Sequence, residues 1–185
     1  MTNNYYSIIN GYSRYFWKST NKYYPNTNFD DISTLYFLDR EIKFAFLKAT
    51  LEAEKYLKSI TAYTLTEKYR DDPLGYLSES FYTYNAKDKR QFKDVAFLTK
   101  RFKKIISKHT RLPGNNPIKN HKNNHDGVPF WVMVEYLTFG ELKLVIKYLP
   151  SIQNKIAKRH YSFISEKLPI TAHFTGRVLL SFIEN

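Results

Sequence analysis

The chain has 185 residues, 43% of them hydrophobic and 25% charged, which is enough for one sizeable core and too apolar for disorder throughout. It contains no cysteine, which excludes disulfides, thiolate zinc sites and cysteine nucleophiles. Its formal net charge is +12, so it seeks anionic partners, of which nucleic acid is the commonest large one.

Residues 1–29 are rich in Tyr, Asn and Ser, with Gly11 and Pro25, and read as short helical or irregular pieces ending in a polar loop. They hold no basic region followed by an apolar stretch, so they are not a secretory signal. No run in the chain approaches the ~20 apolar residues of a membrane span. A cytoplasmic location and no membrane partner are therefore expected.

Residues 30–69 are predicted to form one long helix, with Asp30 or Asp31 as its cap. Leu35, Leu38, Ile42, Ala45, Phe46, Ala49, Ala53, Tyr56, Leu57 and Ile60 recur at three- and four-residue steps as one continuous apolar stripe. Such a helix should be the spine of the domain. Pro73 and Gly75 break the pattern, and residues 71–86 read as a connection. Helical spacing returns over 87–110 with Phe92, Val95, Ala96, Leu98, Thr99, Phe102, Ile105 and Ile106. Residues 111–128, with two Pro and two Gly, read as a long polar loop. Pro129 opens a helical run to 149 that Gly140 interrupts, so two helices or one kinked helix are expected. Pro150 and Pro169 bound the next helix, and 170–184 form a last amphipathic segment. No stretch alternates with period two between turn signals. The expected fold is all-α, a single domain built as a bundle around the 30–69 helix. The abrupt start and the unfinished last helix are expected of a piece of a longer protein.

Charge is concentrated. Between residues 87 and 125 twelve Lys and Arg face only Asp88 and Asp94, so nearly all of the excess lies in one helix and one loop. Lys100, Arg101, Lys103, Lys104, Lys108, Arg111, Lys119 and Lys122 are the candidate RNA-binding residues, with Phe97 and Phe102 near them. Cations at this density neutralise phosphates and gain free energy from released counterions. A solvated helix face is the plainer alternative. The 16 Tyr, 14 Phe and 2 Trp are expected mainly in the core, with some exposed rings free to stack on bases.

Other chemistry is sparse. His121 and His125 stand four apart but fall in the polar loop with only Asp126 near, so no metal site and no cofactor are expected. Glu135, four residues from Trp131 in an apolar run, is expected either paired with a cation in the core or exposed at a kink, with pairing the favoured reading. Glu54 and Glu52 should meet Lys58 or Lys55. A metal-free helical RNase can use an Arg followed one to two turns later by a His. No Arg here precedes a His by that spacing, so no catalytic residue is assigned.

Four motifs then carry a resemblance. Asn4-Tyr5-Tyr6 with Gly11-Tyr12 resembles the opening "NYYrlsGY" of Abi-like proteins. Leu35-Tyr36 with Asp39-Arg40 resembles their "LYxFDrxLR" helix start. Glu54 falls in "iExxlR", with Lys58 at the place of its Arg. Pro129, Trp131, Glu135, Phe139 and Gly140 match "PxWvxxExlsFG". The resemblance implies the all-helical HEPN superfamily, abortive phage infection, toxin activity and metal-independent RNase chemistry. It also implies two HEPN units pairing, as a homodimer or with a partner chain. The family's Arg-Asn…His segment is expected after the stretch that VLLSFIEN resembles, and it is absent from these residues. Tyr5, Tyr6, Gly11, Tyr12, Trp131 and Gly140 are expected to serve packing, and Asp39 and Arg40 to form an ion pair. The leading expectation is an RNA-binding protein of abortive-infection defence that is catalytically incomplete in these residues. The alternative is an interaction or oligomerisation module that pairs with an active HEPN toxin chain through Phe174, Val178, Phe182 and Ile183.

Overall fold

The structure is a computed structural model, and it describes residues 5–20 and 22–167. Seven α-helices and one two-stranded ribbon are present among these residues, so the all-α expectation holds. The last amphipathic segment expected over 170–184 lies outside the described residues. Among the described residues, no helix is long and apolar enough to cross a membrane. Contacts cluster into two units, residues 1–53 and 54–185, with the longest helix contributing to both.

The first unit opens with α1 (Tyr5–Tyr12) and a 3-10 turn, Ser13–Phe16. A short antiparallel ribbon follows, β1 (Trp17–Ser19) against β2 (Lys22–Tyr23), with Trp17 opposite Tyr23. No alternation announces it, because two strands this short need none. α2 (Phe29–Lys68) then begins. Its cap is Asn28 rather than Asp30 or Asp31. The Asn28 Oδ1 accepts from the Asp31 N–H at 3.0 Å, and the Asp31 carboxylate accepts from the Asn28 N–H at 2.9 Å. This reciprocal pair satisfies donors that the first helical turn leaves open. Tyr5 stacks on Phe29 at 5.1 Å. Tyr12 donates a hydrogen bond to Asp39 and meets Tyr36 edge-on at 5.5 Å.

The long helix is present as expected, but its apolar stripe is not buried along its whole length. Every residue from 41 to 52 is exposed, including Ile42, Phe46 at 70% and Leu51. Burial resumes only at Leu57, Ile60 and Leu65, in the second unit. Periodicity marks a face able to pack, and packing also needs a partner surface. The expected Asp39–Arg40 ion pair is likewise replaced. Adjacent residues point about 100° apart on a helix. Asp39 therefore pairs with Lys43, one turn on, at 2.5 Å, and Arg40 meets Glu41 at 3.3 Å.

The second unit builds its core from the end of α2, α3 (Lys89–Arg111), α4 (Pro117–Asn124), α5 (Phe130–Met133), α6 (Phe139–Lys147) and α7 (Pro150–Lys167). Glu54 binds Lys58 at 3.1 Å, as its spacing suggests. Two 3-10 turns, Gly75–Leu77 and Glu79–Phe81, connect α2 to α3. They bury Tyr76, whose ring meets Phe102 and Phe130 edge-on at 5.3 and 5.4 Å. The Tyr76 hydroxyl donates to the Val128 carbonyl at 2.6 Å, and the Tyr82 hydroxyl donates to the Tyr76 carbonyl at 2.8 Å. Both phenols are thus buried and satisfied, and burial raises their pKa values well above the ordinary tyrosine range.

Candidate nucleic-acid interface

α3 positions the basic residues. Asp88 caps it, accepting from the Arg90 and Gln91 N–H groups at 2.8 and 3.3 Å. Those backbone donors hold the Asp88 carboxyl below its ordinary range. One face of the helix buries Val95, Leu98, Phe102 and Ile105. Lys93, Lys100, Lys104, Lys108 and Arg111 follow at steps of seven, four, four and three residues, which places them on one opposite face. They are exposed, as are Lys89, Arg90 and Lys103. None of these eight makes an ion pair among the described residues. The helix spans roughly 35 Å at 1.5 Å per residue, so the cations form an extended track.

Two candidate residues have other work. Arg101 Nε donates to the Glu141 carboxylate at 2.6 Å, and Glu141 is buried at 7% exposure. Glu141 also accepts from the Thr138 N–H at 2.8 Å, while its own N–H reaches Thr138 Oγ1 at 3.3 Å. Arg101 therefore ties α3 to the cap of α6. Lys119 Nζ donates to the carbonyls of Leu112 and Gly114, each at 3.3 Å, just past the end of α3. Lys122 is exposed. Phe97 is 52% exposed among the cations, whereas Phe102 is fully buried and unable to stack on a ligand.

The stretch expected as one long loop contains α4. Asn116 caps it, accepting from the Lys119 N–H at 3.0 Å, and Pro117 opens its first turn. Asn116 Nδ2 also donates to the His109 carbonyl at 2.8 Å, which fastens α4 to α3. His121 and His125 are thereby brought together, their rings 4.8 Å apart. His121 meets the Trp131 ring edge-on at 4.9 Å. Among the described residues no group of three His, Cys, Asp or Glu gathers as a metal ion would require.

Trp131 departs from its expected role, and Glu135 takes the second of its two expected places, exposed at a break in the helix. Trp131 is 50% exposed rather than a packing residue. Glu135 is exposed and makes no ion pair among the described residues. The α-helix gives way to a 3-10 turn at Val134–Tyr136, and α6 starts afresh from Thr138, so an unbroken helical face does not exist there. Gly140 lies in the first turn of α6 with open space where a Cβ would be, so close packing is not its role. Trp131 and Glu135 instead line a groove of about 380 Å³ with Tyr63, Ala62 and Val134. Sequence reasoning missed Tyr63 altogether, since one exposed Tyr on a long helix carries no distinguishing signal.

The amino-acid sequence matches the family described as Abi-like protein over residues 1–182. No curated protein and no solved structure matches the chain.

Proposed function

The chain belongs to the Abi-like protein family, and from that premise we propose that it serves abortive-infection phage defence by binding RNA along the solvent face of α3, on an HEPN-type helical scaffold. The observation that carries this reading is the row of exposed cations opposite the buried face of α3, none of them in an ion pair among the described residues. A cation already neutralised by a carboxylate has little to offer a phosphate, and these have no such partner among the described residues. Lys100, Lys104, Lys108 and Arg111 lie about one turn apart, a spacing near that of successive phosphates on an extended strand. Phe97 adds an exposed ring for stacking. Contacts of this kind give affinity without base identity. The reading assigns binding, and no residue is assigned to strand cleavage.

The test is a gel shift with labelled structured RNA and duplex DNA of equal length, at low and at physiological salt. Tight RNA binding that exceeds DNA binding, weakens with salt and falls at least tenfold in Lys100→Ala, Lys104→Ala, Lys108→Ala, Arg111→Ala combined is the expected result. RNA binding no better than DNA binding, or none at physiological salt, overturns it. Arg101 and Lys119 are left intact in this variant, because their side chains hold the fold as well.

A further inference from the structure

The groove beside α5 joins two exposed aromatic rings to an unpaired carboxylate. Tyr63 and Trp131, 60% and 50% exposed, line it together with the buried apolar side chains of Ala62 and Val134. Its volume of about 380 Å³ lies at the small end of the ~300–1,000 Å³ range of ligand sites, which suits one planar ring system. Glu135 contributes a carboxylate that neither a cation nor a hydrogen-bond donor occupies among the described residues. His121 stands edge-on to Trp131 at 4.9 Å, with Lys122 next to it in α4.

We propose that this groove takes one guanine base of a single-stranded RNA, held against Trp131 and Tyr63 and read by Glu135. The proposal rests on the RNA-binding reading above and adds base identity to it. A carboxylate only accepts hydrogen bonds. Guanine presents two adjacent donors, N1–H and the N2 amino group, that match its two oxygens. Adenine and cytosine place a ring-nitrogen acceptor beside their amino group, and uracil flanks its single N–H with two carbonyls. Each of these sets a lone pair against the carboxylate. Stacking on aromatic rings with hydrogen bonds to the base edge is the usual way single-stranded RNA is read.

Two aromatic rings and a carboxylate are also the parts of a cation cage. The surroundings oppose that occupant. The Arg159 guanidinium, paired with Glu67 at 3.3 Å, already takes one face of the Tyr63 ring at 4.7 Å from its centroid, and the whole chain carries +12. A second cation would find that face taken and the net charge against it, whereas the phosphates attached to a base are drawn by that net charge.

The experiment is fluorescence anisotropy with short labelled oligoadenylates carrying one central guanine, inosine or adenine, all of equal charge. The expected result is affinity for the guanine oligonucleotide about tenfold above the adenine one, a difference within the range of a bidentate base contact. Inosine, which lacks the N2 amino group, should lose most of that gain. Glu135→Gln should abolish the gain, and Trp131→Phe should retain part of it. Circular dichroism establishes that each variant is folded. Equal binding of all three oligonucleotides overturns the groove proposal and leaves RNA binding by α3 standing. A guanine gain that survives Glu135→Gln removes Glu135 as the reader and overturns the proposal as stated. Failure of every oligonucleotide to bind overturns the RNA reading itself.

Discussion

Glu141 shows how one side chain can decide what its neighbours are free to do. Its two carboxylate oxygens accept from Arg101 and from the Thr138 backbone, so a single buried group joins α3 to α6 and closes a capping box. Glu141→Ala removes both bonds and should cost about 3 kcal/mol in urea unfolding, the range for breaking a partly buried pair plus a cap. Lys104→Ala, on the exposed face, should stay within about 0.5 kcal/mol of the parent. Asp88 offers a test of sign. Its folded pKa is lowered, first by the Arg90 N–H. Its contribution is therefore present above the unfolded carboxyl value and lost as pH falls through the folded one. Asp88→Ala should lower the thermal midpoint at neutral pH, and the gap to the parent should close in acid. Asp88→Asn keeps an acceptor at the cap and should lose less.

At the level of the element, α2 and α3 teach opposite lessons from the same periodicity. In α3 Val95, Leu98, Phe102 and Ile105 are buried and the cations outside, as the spacing says, and of the expected apolar set Phe92 stays exposed. In α2 the stripe is equally regular, yet Ile42 and Phe46 are exposed while Leu57 is buried, as is Leu65 further along the helix at 1% exposure. Leu65→Ala should cost about 2–5 kcal/mol, the usual penalty for a cavity in a packed core. Phe46→Lys should change unfolding by no more than about 0.5 kcal/mol. A Phe46→Lys penalty as large as that of Leu65→Ala would show that this ring is covered in solution. The link between α4 and α5 depends on Gly127, whose φ is +146°. A Cβ there would also lie 2.6 Å from Leu74 Cδ1. Gly127→Ala is therefore strained whatever space its neighbour yields, and it should lower the thermal midpoint.

For the whole molecule the governing quantity is charge. If Lys100, Lys104, Lys108, Arg111 and Lys122 each neutralise a phosphate of single-stranded RNA, log Kd should rise with log salt at a slope of about 3.5. That is roughly a hundredfold loss of affinity for a fourfold rise in salt. The quadruple alanine variant should flatten the slope by about 3, while a loss of affinity at unchanged slope would place the contacts elsewhere. Base is the opposite stress. Tyr148, buried against Asp94, has its pKa pushed up to about 12, by burial first and then by that hydrogen bond at 2.8 Å. A raised phenol pKa stabilises the fold below the unfolded value and ceases to do so as pH climbs through the folded one. Tyr76 and Tyr82 shift in the same direction. Alkaline unfolding should therefore coincide with late phenolate absorbance, and Tyr148→Phe should weaken the dependence.

Much of this was legible in the residues themselves. The helix around Val95–Ile105 follows from apolar spacing, because a helix has to bury a face, and the one that starts at Pro150 follows from its bounding prolines. The charge of α3 follows from counting, and the family from motifs in order. α4 was masked by its polar composition although Asn116 and Pro117 form a recognisable start signal. What the sequence by itself determined is local: period, caps, charge and where the chain must turn. What only the tertiary structure decided is which faces meet. That Arg101 is spent on Glu141, that Asp39 meets Tyr12, that Trp131 stays open beside Tyr63, and that Phe46 is exposed all depend on residues brought together or kept apart by packing. Contacts between distant residues are set by the three-dimensional arrangement of elements, and a linear pattern holds no record of it.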